Sequence, residues 1–106
     1  MTLLTDAPAP AVVPAAAATV AVTGALDVTT LPRVRAQLEQ ALADRPGRLV
    51  VDLSACTFVD ASALAVLLEL HRTLSRTGQV LTLRGSCPRV LRLLSLTGLR
   101  RVFDLA

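Results

Sequence analysis

The chain has 106 residues, of which 53% are hydrophobic and 18% charged, so it can bury one compact core but is too short for two ordinary domains. The formal charge is +3 at pH 7, and all 11 basic residues are arginines spread over several segments instead of one basic run. Phe58 and Phe103 are its two aromatic residues, so the chain lacks a platform on which bases could stack. We therefore expect no direct binding of nucleic acid.

The N-terminal residues 1–18 are rich in alanine and proline and predict a loose segment, with an edge strand around Ala11 to Val13. Prolines at positions 8, 10 and 14 interrupt the apolar residues, which is unlike a signal peptide, and no stretch of about 20 apolar residues follows. We expect a cytoplasmic protein without membrane insertion, whose single domain covers residues 19–106.

Three stretches predict β-strands. Residues 19–23 alternate small or polar with β-branched side chains, and Gly24 is expected to end that strand. Residues 49–53 form a short apolar run, typical of a strand buried on both faces, and residues 79–84 predict a third strand.

Three helices are predicted between and after these strands. Thr29 or Thr30 can cap the first, which tolerates Pro32 in its first turn and ends before residues 45–47. The second follows the Asp60-Ala61-Ser62 triplet and ends at Gly78, and the third runs from residues 86–88 to just before Gly98. Strand and helix alternate, which indicates an α/β fold with a mixed or parallel sheet covered by helices.

The Asp60-Ala61-Ser62 triplet lies where a buried strand gives way to a helix, at the end of the sheet where open α/β folds place their sites. The structural alternative is that Asp60 or Ser62 caps the helix, since a side-chain oxygen accepts a hydrogen bond from a free backbone N–H there.

Catalysis has no candidate residues in this sequence. Ser62 is not in a GxSxG motif, and the single histidine, His71, lies about 13 Å further along the predicted helix. We interpret His71 as a semi-buried helix-face residue. Cys56 and Cys87 have neither CxxC nor metal-ligand spacing, so we expect reduced thiols that could pair only if the fold brings them together. The sequence therefore predicts no enzyme, no cofactor and no metal.

Four motifs in order resemble one family. GALD at residues 24–27 resembles its Gly-Glu-Leu-Asp, and VVDLS at 50–54 resembles its central strand. FVDASAL at 58–64 is similar to its Phe-Ile-Asp-Ser-Ser-Gly-Leu, and LTGL at 96–99 matches a C-terminal Leu-Thr-Gly-Leu. On these motifs the chain is identified as a member of the STAS domain family, and specifically resembles the anti-sigma-factor antagonists.

The resemblance implies an α/β domain with a mixed sheet of four to five strands and helices mainly on one face. It also implies a protein without catalysis of its own, which binds an anti-sigma factor of the serine kinase type and so frees a sigma factor. The kinase would phosphorylate Ser62 and inactivate the antagonist, and a serine/threonine phosphatase would restore it. The residues expected to bind the partner are Asp27, Asp60, Ala61, Ser62, Ala63 and Leu64.

Three positions depart from the family motifs. Ala61 replaces the serine beside the acceptor, Ala63 replaces a glycine, and Ala25 replaces a glutamate. Asp27 is retained, where the family's aspartate supports partner binding, although an aspartate there could equally cap the next helix. The alternative function is a cytoplasmic STAS subunit of a lipid-transporting ABC system, in which we expect no hydroxyl at position 62. A third, a scaffold component of a stress-sensing complex, usually needs an additional N-terminal domain.

Overall fold

The computed structural model describes residues 17–106, in which strands and helices alternate as predicted. The strands are β1 (Ala17–Leu26), β2 (Arg48–Val59), β3 (Val80–Arg84) and β4 (Asp104–Leu105). The helices are α1 (Leu31–Leu42), α2 (Ala61–Ser75) and α3 (Pro88–Leu96), and a 3₁₀ turn (Leu99–Arg101) precedes β4.

The described strands form one sheet in the order β1-β2-β3-β4, and each neighbouring pair is parallel. This confirms the predicted α/β fold, and of the mixed or parallel sheet expected the described strands show parallel pairs alone. The additional edge strand predicted around Ala11 to Val13, and most of the loose segment predicted for 1–18, lie outside the described residues.

The hydrophobic core lies between the sheet and its helices. Alternate strand residues such as Val20, Val51 and Leu83 stand in one row across the sheet, because they are paired in register. These strand residues belong to one buried cluster that also contains residues of all three helices, such as Val34, Leu67 and Leu94. Because one cluster holds this face of the sheet and every helix, the helices pack on the same face.

The opposite face of the sheet carries polar and charged side chains that bond across the strands. Arg48 donates hydrogen bonds to Thr82 and, at 2.6 Å, to Asp104, which ties three strands together. Arg84 donates at 3.3 Å to Asp52 on the neighbouring strand. The bond from Arg48 to Asp104 holds the short strand β4, which has two residues, against the rest of the sheet.

Two strands are longer than predicted, and Gly24 does not end β1. Gly24 has φ of +75° and lies within β1, where the pairing with β2 shifts register between Ala21 and Thr23 and again between Gly24 and Ala25. Register shifts of this kind are typical of β-bulges, which let the strand continue past a residue with left-handed backbone. The pairing then continues to Leu26 and Val59, so both strands reach the candidate site together.

Two further predictions concern individual side chains. His71 is half-buried, as predicted, and its ring meets that of Phe103 edge to face with centroids 5.8 Å apart. Thr30 occupies the N-cap position of α1 but makes no capping hydrogen bond there. Its hydroxyl instead donates to the Ala25 carbonyl oxygen at 2.9 Å and accepts from the Asp27 N–H at 3.0 Å.

None of the helices described between residues 17 and 106 has the length and apolar character needed to cross a membrane. In the same part of the chain, no three histidine, cysteine, aspartate or glutamate side chains cluster as a metal site would require.

Candidate functional site

The candidate site lies where β1 and β2 end side by side. Leu26 pairs with Val59, so the residues that follow them, Asp27 and Asp60, come to the same edge of the sheet although 33 positions separate them. The Asp60 N–H donates to the Leu26 carbonyl oxygen at 3.2 Å, which extends the pairing by one bond. The Val28 N–H donates to Asp60 Oδ2 at 3.2 Å. The loop after β1 is therefore fastened to the start of α2.

Asp60 is the residue that caps α2, which decides between the two predicted caps. Its backbone is extended, with φ of −97° and ψ of 179°, and its Oδ1 accepts from the Ala63 N–H at 2.9 Å. The Ser62 hydroxyl donates to that same Oδ1 at 2.7 Å. Ser62 thus lies in the first turn of α2 with its Oγ held beside a carboxylate.

Asp27 organises its own loop. Its Oδ1 accepts from the Thr29 N–H at 2.9 Å, the Thr29 hydroxyl at 2.6 Å and the Thr30 N–H at 3.2 Å. Its carbonyl oxygen accepts from the Leu31 N–H at 2.9 Å, at the first residue of α1. Asp27 therefore supports the start of the next helix, which is the structural alternative that the sequence offered for it.

Hydrogen bonds keep both carboxyl groups ionised. The Ser62 hydroxyl, followed by the Ala63 N–H, lowers the pKa of Asp60, while the neighbouring charge of Asp27 opposes this shift. The Thr29 hydroxyl and N–H lower the pKa of Asp27. The two carboxyl groups lie at the same edge of the sheet, where the Val28 N–H that follows Asp27 donates to Asp60.

The predicted partner-binding residues divide by exposure. Ala61 is exposed, and Asp27, Asp60 and Ser62 are partly exposed. Ala63 and Leu64 are buried, with 0% and 4% of their surface accessible, and their side chains belong to the core. For these two, the expectation of direct contact needs correction: α2 starts at Ala61, so its third and fourth residues already face the sheet.

Two exposed apolar residues border this site and were not predicted from the sequence. Val28 exposes 66% of its surface and Phe58 exposes 41%. The signal for Val28 was an apolar residue inside a polar loop. Phe58 belongs to the FVDASAL motif, but the sequence did not indicate that it is exposed. Its exposure occurs next to a register shift in the pairing of β1 with β2.

The Asp-x-Ser geometry of the site occurs at three places in the described chain. Thr29 and Ser54 each donate a hydroxyl hydrogen bond of 2.6 Å to the aspartate two residues before them, as Ser62 does to Asp60. Ser54 lies within β2 and Thr29 in the loop before α1. Of the three, the hydroxyl of Ser62 is the one within the first turn of a helix.

This position determines what Ser62 can do chemically. The N-terminal N–H groups of a helix carry partial positive charge and attract phosphate oxygens. His71 lies nine residues along the same helix, about 13 Å away, and cannot act as its base. Ser62 therefore presents a hydroxyl at a helix N-terminus without a histidine base beside it.

One family model and several solved structures are similar to this chain. Residues 12–105 match the family model described as "Mlab, STAS domain". An anti-sigma factor antagonist from Mycobacterium paratuberculosis has a similar solved structure, with 30% sequence identity and a TM-score of 0.75, covering 84% of this chain and 75% of that chain. No curated protein matches the sequence significantly.

Two more distant solved structures share the fold. The anti-sigma factor antagonist SpoIIAA in its unphosphorylated form is 20% identical, with a TM-score of 0.72, over 89% of this chain and 83% of that one. A sulfate transporter family protein from Wolinella succinogenes is 19% identical, with a TM-score of 0.73, over 88% of this chain and 75% of that one. At these identities the likeness concerns the fold alone.

Proposed function

Because the chain belongs to the STAS domain family, we propose that it is an anti-sigma-factor antagonist. In this proposal it binds an anti-sigma factor of the serine kinase type, releases the sigma factor, and loses the partner when Ser62 is phosphorylated. The observation that carries the proposal is the Ser62 hydroxyl at the first turn of α2, 2.7 Å from the carboxylate of Asp60. The 30% identity with an anti-sigma factor antagonist supports it.

The proposed binding surface is the edge formed by the loop after β1 and the start of α2. Asp27, Asp60, Ala61 and Ser62 would contact the partner there. Ala63 and Leu64 would act indirectly, because their burial in the core sets the position of the first turn of α2. A partner that fits this edge needs positive charge opposite the two carboxylates.

Phosphorylation would change this surface more than the fold. It removes the Ser62 O–H that donates to Asp60 and places a charge of about −1.5 to −2 beside an ionised carboxylate. The N-terminus of α2 offsets part of that repulsion. A partner closed over Ser62 would have to desolvate a dianion next to Asp60, which is enough for about a hundredfold loss of affinity. The switch therefore blocks the partner without refolding the domain, and a serine/threonine phosphatase reverses it.

Intact-mass spectrometry of the protein from its own cells tests this function. We expect a mass increase of one phosphate that disappears after phosphatase treatment and is absent from Ser62→Ala. Ser54→Ala is the matched control, because the Ser54 hydroxyl donates to Asp52 as that of Ser62 does to Asp60, but Ser54 lies in a strand. It should still carry the phosphate. A phosphate retained in Ser62→Ala, or none under any growth condition, would count against the phosphoswitch.

The second candidate is a cytoplasmic STAS subunit of a lipid-transporting ABC system. The description of the matching family model and the departures of Ala61 and Ala63 from the antagonist motif favour it. The Ser62 hydroxyl counts against it. Copurification separates the two: a kinase-type protein without membrane spans supports the antagonist, and a membrane ATPase supports the transport subunit.

A further inference from the structure

The two cysteines of the chain both belong to the surroundings of the hydrophobic core. Cys56 and Cys87 are both free thiols, 31 positions apart in sequence. Cys56 lies near the end of β2 and is 3% exposed, whereas Cys87 is half-buried at the N-cap of α3. Cys87 packs against the same hydrophobic cluster that contains Cys56.

The pairing of β2 with β3 brings together the two segments of chain that carry these cysteines. The regular ladder ends with Asp52 opposite Arg84. Gly85 then lies directly against Ser54, so closely that a Cβ atom on Gly85 would be 3.1 Å from the Ser54 Cα. Each cysteine follows two residues after this contact, Cys56 within β2 and Cys87 in the loop that leads from β3 to α3.

Two residues of extended chain span about 7 Å at most, so each cysteine Cα lies within about 7 Å of this contact. Adjacent strands lie about 4.8 Å apart, and the Cα atoms of disulfide-bonded cysteines are about 4.4 to 6.8 Å apart. Cys87 still has an extended backbone, with φ of −72° and ψ of 164°, before α3 begins. Both cysteines thus lie within two residues of a close contact between their backbone segments, a placement from which a disulfide can form.

The environments of the two thiols differ. Burial raises the pKa of Cys56, and the proximity of Cys87 raises it further, which supports the closeness of the pair. The Cys56 thiol also donates a hydrogen bond of 3.4 Å to the Phe58 carbonyl oxygen. Cys87 is the more accessible sulfur and would meet an oxidant in solution first.

We propose that Cys56 and Cys87 form a redox modification site that reacts with a peroxide to give an intramolecular disulfide. The Cys87 sulfur attacks the peroxide, the O–O bond breaks, and a sulfenic acid and water form for hydrogen peroxide. The Cys56 sulfur then displaces the hydroxyl from Cys87, which forms the S–S bond and releases a second water. The two sulfurs lose two electrons in total, and the peroxide is reduced by two.

The disulfide would close a loop that contains α2 and Ser62. It would fix the end of β2 four residues before Asp60, while the Gly85–Ser54 contact already holds the strands together on the other side. The reaction of Cys56 and Cys87 does not involve the proposed anti-sigma factor, so it can be tested independently of the proposed function.

Titration of the reduced full-length chain with hydrogen peroxide tests the proposal. We expect one equivalent of hydrogen peroxide to consume both free thiols, to lower the mass of the monomer by two hydrogens and to raise the Tm. Dithiothreitol should reverse all three changes. Peptide mapping without reduction should join Cys56 to Cys87, and it separates this product from oxidation of Met1, the sole methionine. Cys87→Ser keeps a good N-cap residue, so it should fold normally and show neither the mass loss nor the higher Tm.

Three results would overturn the proposal. One is a monomer that keeps two thiols or reaches a sulfinic acid without a crosslink. Another is a disulfide between two chains through Cys87. A third is a Cys56–Cys87 bond that forms only in urea, because it would show that the folded chain keeps the thiols apart.

Discussion

Ser62 Oγ and Asp60 Oδ1 are 2.7 Å apart, and that carboxylate oxygen also accepts the Ala63 N–H that caps α2. The proposed phosphate acceptor is thus bonded to the cap of its own helix. Asp60 Oδ2 accepts from the Val28 N–H, so one side chain connects the helix, the acceptor and the loop after β1.

Replacing Asp60 should therefore destabilise the domain, whereas replacing Ser62 should not. Asp60→Ala removes the cap and the bond to Val28, and we expect a Tm lower by several degrees. Asp60→Asn should lose less, because an amide oxygen can still accept from the Ala63 N–H. Ser62→Ala should keep a Tm near that of the wild type, because the cap remains. Thermal unfolding by circular dichroism measures all three, and equal Tm values for Asp60→Ala and wild type would refute the cap.

Acid should destabilise the protein. Hydroxyl donors are the largest cause of the lowered pKa values of Asp27, Asp52, Asp60 and Asp104, with Thr29, Ser54, Ser62 and Thr82 as the respective donors. A pKa lower in the folded than in the unfolded chain adds stability above the unfolded value, about 3.9, and that stability is lost as the pH falls through the folded value.

We accordingly expect a urea midpoint that hardly changes between pH 7 and pH 5 on account of these groups and falls below about pH 4. Asp104→Asn should reduce the acid-induced fall, since its carboxylate no longer titrates. Asp44→Asn, in the exposed turn after α1, provides a comparison at equal net charge. An unchanged midpoint at pH 3 would contradict the assignment.

Gly85 should be intolerant of a side chain. A Cβ atom would collide with the Ser54 hydroxyl and lie 3.1 Å from both Ser54 Cα and Cβ, and φ is +71°. Gly78 has a similar φ of +74° but nothing within 4 Å of a Cβ, so Gly78→Ala measures the backbone cost alone, about 1 to 2 kcal/mol. Gly85→Ala should lose more free energy of unfolding than Gly78→Ala in urea titrations, and equal losses would show that β2 and β3 are not in close contact there.

Two leucines should differ sharply in their response to truncation. Leu53 is 0% exposed at the centre of the core, so Leu53→Ala should cost about 2 to 5 kcal/mol. Leu96 is 78% exposed at the end of α3, and Leu96→Ala should change the free energy of unfolding by less than about 0.5 kcal/mol. The comparison uses the same chemical change, and similar losses for both would mean that Leu96 is covered in solution.

The local pattern of the sequence was sufficient to find the three helices and the three longer strands, though not the short strand β4, and to place Ser62 at the start of α2. Helical periodicity after residue 60 and the preference of aspartate for N-caps both depend on groups within four residues of each other, so they could be predicted without the fold. The Asp60 cap and the Ser62 bond to it are contacts of this kind.

Tertiary structure decided the rest, because it sets which strand ends lie side by side. The register of β1 and β2, including the irregularity at Gly24, brings Asp27 to Asp60, and the order of β2 and β3 brings Cys87 toward Cys56. The packing of α2 on the sheet buries Ala63 and Leu64 while Ser62 stays at the edge. These relationships join residues about 30 positions apart, and they follow from pairing between strands, which a local sequence pattern does not specify.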